Sequence, residues 1–232
     1  MTPAEVVLVV LAFAIAISIH ESSHAYTAYR CGDSTAKRQG RISMNPIDHI
    51  DPVWTVLVPG LLILSGLPPI GAARPVPVNP SNLRNPSRDE ALVAAAGPIS
   101  NFLLALTCGV LTLVLGPLLH RGGLPAGDGL GKLLMAGMTI NVLLAVFNLI
   151  PIPPLDGSGV LQYFLNRRQV RWMKQNQMML GMMFVVLWMM GFLSAFISPF
   201  IRLTYLIHQS LVSLIWGSGV AMMLIELDPF VS

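Results

Sequence analysis

The chain has 232 residues, of which 54% are hydrophobic and only 11% are charged, and its formal net charge is +3. A soluble domain carries about a quarter charged residues, so this composition argues against a soluble enzyme, a disordered chain and a disulfide scaffold. Several stretches of more than 20 residues contain no Asp, Glu, Lys or Arg. Each is long enough to cross a bilayer, which predicts a polytopic helical membrane protein.

Five apolar segments are predicted to be membrane helices. They cover residues 4–28, 91–119, a segment from 133 that Pro151 stops, 177–197, and 200–225. A sixth segment, 53–73, is interrupted by six Pro and Gly residues and is predicted to be re-entrant or to lie in the membrane without crossing it. Irregular backbone at membrane depth is tolerated where protein or a cavity covers it. The alternating residues Arg74–Val78 that follow are predicted to be an edge strand or an extended segment.

The predicted fold class is therefore an all-α polytopic membrane protein with five or six transmembrane helices. A re-entrant or extended, β-like segment lies between the first and second core helices. The predicted connectors are Gly32-Asp33, the loops Asn79–Asp89 and Gly122–Gly131, the basic amphipathic stretch Asn166–Lys174, and Pro199 between the last two helices. Cys31 and Cys108 lie far apart in the sequence and are predicted to be reduced thiols.

The first apolar segment contains the string His20-Glu21-Ser22-Ser23-His24. Residues four apart lie on one face of a helix, so both imidazoles can reach one metal ion. A glutamate after the first histidine can take a proton from water at that metal, which is the pattern of zinc hydrolases. Ionisable residues in an apolar span need a partner or a function, which favours this interpretation over a helix-end cluster facing polar loops.

A catalytic zinc has three protein ligands and one open position, so a third ligand must come from elsewhere in the chain. Most of the other acidic and histidine side chains lie in polar loops, where exposure to solvent explains them. Asp156 ends an uncharged run behind three prolines and precedes Gly157, a setting that can direct a carboxylate into a helix bundle. An N-cap for a helix beginning near Ser158 explains Asp156 equally well.

Several motifs resemble those of the site-2 protease family of intramembrane zinc metalloproteases. They occur in order between about residues 17 and 165, and they are His20–Ala25, Gly32–Ala36, Gly40-Arg41, Asn45-Pro46, His49, Asp51-Pro52, Pro75–Pro80, Ala96–Asn101 and Phe147–Gly157. The chain is similar to the short bacterial branch of the family that has no PDZ domain. Ala72, Arg74, Trp54 and Gly159 depart from the usual pattern, and none of them is a proposed ligand.

The resemblance implies an intramembrane zinc endopeptidase that cleaves transmembrane segments of membrane proteins. It implies His20, His24 and Asp156 as ligands of one Zn²⁺ per chain, Glu21 as the catalytic acid and base, and Asn148 as a residue that hydrogen bonds the substrate carbonyl. Its partners would be the lipid bilayer and a single-pass membrane protein or remnant signal peptide. One domain, 1–232, is predicted, with a catalytic core at about 4–165 and accessory helices at about 175–225.

A shared metal site also predicts the topology. If both halves of the site lie toward the C-terminal ends of their segments, the chain between them crosses the membrane an odd number of times. Segment 91–119 supplies one crossing, so segment 53–73 is predicted not to cross. Basic residues are more frequent on the side that holds the site, and the positive-inside rule therefore predicts a bacterial inner membrane protein whose site opens to the cytoplasm.

Three other functions are less favoured by the sequence. Nucleic-acid binding does not fit, because the basic residues lie in loops where membrane orientation explains them. A transporter could use an intramembrane His/Glu pair, but it needs neither this spacing nor the Asp156-Gly157 pair. A noncatalytic zinc-binding adaptor would have no use for Glu21.

Overall fold

The computed structural model describes residues 2–58, 61, 73–121 and 125–220. Its helices are α1 (Pro3–Arg30), α2 (Thr35–Arg38), α3 (Pro86–Arg121), α4 (Pro125–Asn148), α5 (Asp156–Phe164), α6 (Arg167–Gln175), α7 (Gln177–Met189) and α8 (Phe192–Trp216). Short 3₁₀ turns occur at Pro46–Asp48 and Pro80–Asn82, and a π-helical turn at Pro52–Leu57. No β-strand occurs among the described residues, so the all-α class is confirmed.

Three helices in the described part of the chain are long and apolar enough to cross a membrane. They are Pro3–Arg30, Pro86–Leu115 and Gly129–Asn148, and the apolar helix α7 is shorter. A helix rises 1.5 Å per residue, so each of the three reaches roughly 30 Å or more. The prediction of a polytopic helical membrane protein is therefore confirmed, whereas the predicted count of five or six spans stays a prediction.

Two predicted boundaries are wrong. The break between the last two apolar segments lies at Gly191, not at Pro199, which is inside α8. Gly191 ends α7 because its φ of +77° is a left-handed conformation that glycine adopts without steric cost. The predicted loop Gly122–Gly131 is also too long, because α4 begins at Pro125, where proline suits the first helical turn.

The prediction for segment 53–73 falls largely outside the described residues. Residues 53–57 belong to the π-helical turn, residues 58 and 61 are helical, and most of the remainder is not described. Residues 73–79 have neither helical nor strand structure, so the edge-strand alternative is wrong and the extended segment stays a prediction. The re-entrant path itself stays a prediction.

The contacts divide the chain into two compact units. The first unit comprises residues 1–16, 101–146 and 195–232, and the second comprises residues 17–100 and 147–194. The first unit has an apolar core built from two clusters of small and medium side chains. These are Cys108, Leu134, Met135, Met138 and Val212, and Ala12, Ala16, Ala136 and Ile140. The predicted single domain stays a prediction.

Several buried polar side chains among the described residues of the first unit are paired, as a low-dielectric environment requires. Asn101 donates to Asn141 Oδ1 at 2.7 Å, and His208 Nε2 lies 2.6 Å from Thr112 Oγ1. Asn101 and His208 are therefore each held by a hydrogen bond within this unit. Both cysteines are free, which agrees with the predicted reduced thiols.

In the second unit, Asp33 joins the end of α1 to the chain before α3. Its carboxylate accepts hydrogen bonds from Asn79 N at 2.7 Å, Asn82 Nδ2 at 2.9 Å and Thr35 N at 3.0 Å. Burial alone would raise the pKa of Asp33, but these donors outweigh it and lower the pKa to about 2. Asp33 therefore stays ionised and connects the two segments at neutral pH.

Candidate metal centre

Helix α1 brings its two histidines together on one buried face. His20 and His24 are 6% and 8% exposed, and their Nε2 atoms lie 3.0 Å apart. The four-residue spacing produces this arrangement because it returns the side chains to the same side after about one turn. Both nitrogens therefore point to a single location inside the second unit.

Asp156 completes this cluster. Its Oδ2 lies 3.2 Å from His20 Nε2 and 3.4 Å from His24 Nε2. The N-cap of α5 is Leu155, Asp156 is the first helical residue, and no side chain caps this helix. The carboxylate therefore faces the imidazoles rather than capping a helix that begins near Ser158. Asp156 also opens a new helix instead of ending the apolar segment before it.

The approach to Asp156 depends on two glycines of α5. A Cβ at Gly157 would lie 2.5 Å from the carbonyl oxygen of Ile150, and one at Gly159 would lie 2.7 Å from Ala94 Cβ. The sequence predicts that Gly157 allows a tight turn, but its backbone does not have a positive φ. Glycine is needed there because the backbone of α5 packs directly against the turn that follows α4.

The donor set fits zinc. Two imidazole nitrogens and one carboxylate oxygen are typical zinc ligands, and ligands about 2.0–2.1 Å from a tetrahedral zinc lie roughly 3.3 Å apart. The three observed separations, from 3.0 to 3.4 Å, are close to that value. Asp156 Oδ2 is buried and has no hydrogen-bond donor. A cation at this location would satisfy the oxygen.

A backbone carbonyl orients one of the two histidines. His24 Nδ1 lies 2.7 Å from Val93 O in α3, and because a carbonyl only accepts, Nδ1 must carry the proton. The lone pair of Nε2 is then available for a metal, as in zinc sites where the second nitrogen of a histidine ligand is held by an acceptor. Sequence reasoning missed Val93 because any residue type supplies a carbonyl.

Gly97 of α3 faces the two imidazoles. A Cβ at this position would overlap His24 Nε2 and would lie 2.6 Å from His20 Nε2. Real Cβ atoms do not approach other atoms so closely, so only glycine leaves room for both rings. The motif Ala96-Gly97-Pro98 belongs to the resemblance, but the sequence alone does not show which side chains this glycine faces.

We expect Gly97→Ala to lower the zinc content of the purified protein well below that of the unmodified chain. The added methyl group must displace at least one imidazole, and zinc loses a ligand. Metal analysis after purification measures the effect. Gly129→Ala is the matched control, because a Cβ there meets no atom within 4 Å. A normal zinc content in Gly97→Ala would show that this close approach does not govern metal binding.

Glu21 lies on α1 between the two histidines, and the residue after it, Ser22, contacts the loop Arg41–His49. The Glu21 carboxylate interacts electrostatically with His20, His24, Asp156 and His49. Ser22 Oγ of α1 donates to the carbonyl of Ser43 in that loop. His49 Nε2, also in the loop, donates to the same carbonyl at 2.7 Å. The loop is thereby attached to α1 at the residue next to Glu21.

Arg41 holds the other side of this loop. Arg41 is 5% exposed, and its guanidinium donates to the carbonyls of Asp48, Arg74 and Pro75. Arg74 N in turn donates to His49 O at 2.9 Å. The loop is therefore held against segment 73–79, and Ser22, the residue after Glu21, attaches the loop to α1.

The other residues that the sequence singles out are not members of the His20, His24 and Asp156 group. Asn148 is the last residue of α4 and is half-buried, and its role toward substrate stays a prediction. Among the described residues, the only group of three or more His, Cys, Asp or Glu that could hold a metal is His20, His24 and Asp156, whose ligand atoms lie within 4.8 Å of one another. Asp33 and His49 have hydrogen-bonding roles instead.

Comparisons with known proteins identify the family. The model of peptidase family M50 matches residues 116–192. YwhC of Bacillus subtilis, named as a zinc metalloprotease, is 39% identical to this chain over 157 residues. The match covers 66% of this chain and 67% of YwhC. Rip2 of Mycolicibacterium smegmatis, named in the same way, is 32% identical over 161 residues, or 69% of this chain and 58% of Rip2.

A third relative, MJ0611 of Methanocaldococcus jannaschii, is 38% identical over 71 residues, which are 31% of this chain and 32% of MJ0611. No solved structure matches the chain. The extent and identity of the match to YwhC are sufficient for a family assignment, and they agree with the resemblance seen in the motifs. The chain belongs to peptidase family M50, the site-2 protease family, and is a zinc metalloprotease.

Proposed function

We propose that this protease cleaves peptide bonds within transmembrane segments of membrane proteins. His20, His24 and Asp156 hold one Zn²⁺ per chain, and Glu21 is the catalytic acid and base. The substrate is a single-pass membrane protein or a remnant signal peptide. The site opens to the cytoplasmic side of a bacterial inner membrane.

The position of the cluster on α1 carries this proposal. His20 lies ten residues before the end of a helix that is long and apolar enough to cross a membrane, which corresponds to roughly 15 Å along its axis. A metal bound there lies within the depth of the bilayer, so the bond that it helps to cleave must also reach that depth. Segments of other membrane proteins meet this condition.

The residues around the cluster suit hydrolysis of an amide. When bound, zinc lowers the pKa of water toward neutrality and polarises a carbonyl. Glu21 accepts a proton from the attacking water as its oxygen bonds to the carbonyl carbon. Glu21 then gives the proton to the amide nitrogen as the carbon–nitrogen bond breaks. The side-chain amide of Asn148 would donate a hydrogen bond to the carbonyl oxygen.

A substrate must be extended locally to expose its peptide bond. The segments Gly40–Met44 and Pro75–Val78 are candidates for the edge along which it would lie, because an edge supplies backbone hydrogen bonds. The bonds from Arg41 to the carbonyls of Arg74 and Pro75 support this proposal, since they keep the two segments together beside Glu21.

Removal of the metal should stop cleavage. We expect the full chain in proteoliposomes to cleave a single-pass transmembrane substrate, to lose this activity after chelation of zinc, and to regain it when Zn²⁺ is returned. The cleavage site, determined by mass spectrometry, should lie within the apolar segment of the substrate. Cleavage only in an extramembrane loop, or activity that survives complete zinc removal, would contradict the proposal.

The orientation can be tested by cysteine labelling in a chain without Cys31 and Cys108. Cysteines at Gln39 and Ser81, both exposed, should react with a membrane-impermeant reagent only from the cytoplasmic side, and one at Gly127 only from the other side. The physical reason is that the flanks of segment 53–73 share one side if that segment does not cross. Labelling of Gln39 and Ser81 from opposite sides would show a full crossing and overturn this topology.

A further inference from the structure

Helix α6 borders a basic cavity. The cavity has a volume of about 620 Å³ and is lined by Arg167, Arg171 and Lys174, together with the polar residues Ser87 and Gln162. The three cations are four and three residues apart, so they lie on one face of the helix. One carboxylate, Glu90, lies 4.0 Å from Lys174 Nζ, which leaves an excess of positive charge.

An apolar cavity borders the opposite side of the same helix. It has a volume of about 430 Å³, and most of its lining is apolar, including Pro151, Ile152, Leu161, Trp172 and Leu180. Arg168 and Gln169 of α6 also line it. Leu165 lines both cavities. Both volumes are in the range of small-molecule sites. A basic cavity and an apolar cavity thus meet at one residue, which matches a molecule with an anionic end and a hydrocarbon end.

The basic cavity lies at the end of a membrane segment. Ser87, which lines it, is the second residue of α3, and residues Pro86–Leu115 of that helix are long enough to cross the bilayer. The ends of such a segment lie among the lipid headgroups. Trp172 is 54% exposed on α6, and tryptophan is enriched at the same depth.

We propose that these two cavities bind one anionic phospholipid. Its phosphate is held by Arg167, Arg171 and Lys174, because guanidinium groups match the geometry of phosphate oxygens. One acyl chain occupies the apolar cavity, where it contacts Pro151 and Ile152 in the turn that leads to Asp156. A lipid bound at this site would therefore contact the segment that positions Asp156, the carboxylate of the proposed metal centre.

The test measures binding of phosphatidylglycerol to the full chain by native mass spectrometry, so its readout does not depend on proteolysis. In the variant with Arg167→Gln, Arg171→Gln and Lys174→Gln, we expect about 100-fold weaker binding. Each basic residue near a membrane surface contributes roughly a fivefold change. The matched control, Arg30→Gln with Lys37→Gln and Arg38→Gln, removes the same charge from exposed positions and should retain phosphatidylglycerol binding.

Four results would overturn the proposal. The first two are unchanged binding in the α6 variant and equal loss in the control variant. The third is displacement of phosphatidylglycerol by millimolar inorganic phosphate, which would indicate a site for the free anion. The fourth is equal binding of zwitterionic phosphatidylcholine. Zinc content serves as the measure of folding, and if the triple variant does not fold, Arg171→Gln alone should weaken binding roughly fivefold.

Discussion

A Glu21→Gln protein should retain zinc and lose cleavage of a transmembrane substrate by roughly 10²- to 10⁴-fold, the usual contribution of a general base and acid. The amide has nearly the same size as the carboxylate, so the arrangement of His20, His24 and Asp156 should persist. It cannot accept the proton of the attacking water. The measurement combines cleavage rates in proteoliposomes with metal analysis of the same preparation, and the inactive variant should also retain uncleaved substrate in membranes.

Glu90→Gln is the matched control for this experiment. This substitution makes the same chemical change at a carboxylate 4.0 Å from Lys174, outside the His20, His24 and Asp156 group. The variant should cleave the substrate at the wild-type rate. Wild-type cleavage by Glu21→Gln would remove Glu21 from the mechanism. A Glu21→Gln protein that binds zinc and still performs its cellular role would instead favour a noncatalytic adaptor.

Substitution of Asp156 by Asn should lower the affinity for zinc by more than about 100-fold. Loss of a residue that only hydrogen bonds a metal ligand already lowers metal affinity roughly 10- to 100-fold. In Asp156→Asn the ligand itself loses its negative charge. Competition with a chelator, followed by metal analysis, measures the affinity. The same experiment on the unmodified protein should give one zinc per chain.

Asp48→Asn provides the control for Asp156→Asn. Asp48 is exposed and accepts a hydrogen bond from Ser43 Oγ at 2.5 Å, apart from the metal cluster. We expect this variant to bind zinc as tightly as the unmodified chain. An equal zinc affinity in Asp156→Asn and Asp48→Asn would mean that the third ligand is a different residue.

Local features of the sequence were sufficient to predict three membrane helices and the shared face of His20 and His24. A long segment without charge has few stable alternatives to a membrane helix, because its apolar side chains avoid water and its backbone must satisfy its own hydrogen bonds. The spacing of His20 and His24 likewise determines that they share a face, since helical periodicity is the same in any helix.

Boundaries were less predictable. The sequence predicts a break at Pro199, whereas the helix continues through it and the break lies at Gly191. Proline removes one hydrogen bond, which neighbouring groups can compensate in an apolar helix, so its presence alone does not end the helix. The conformation of Gly191 depends on how the chain continues into α8.

The sequence by itself determined the class of protein, the His/Glu/His motif and its resemblance to a protease family. The tertiary structure decided between the two interpretations of Asp156. Sequence spacing allows both a helix cap and a carboxylate that faces His20 and His24, and the structure shows the second. It also identified Val93 and Gly97, which act through a carbonyl and through the absence of a side chain. Neither property can be recognised from the neighbouring sequence, because each depends on which helix packs against the two histidines.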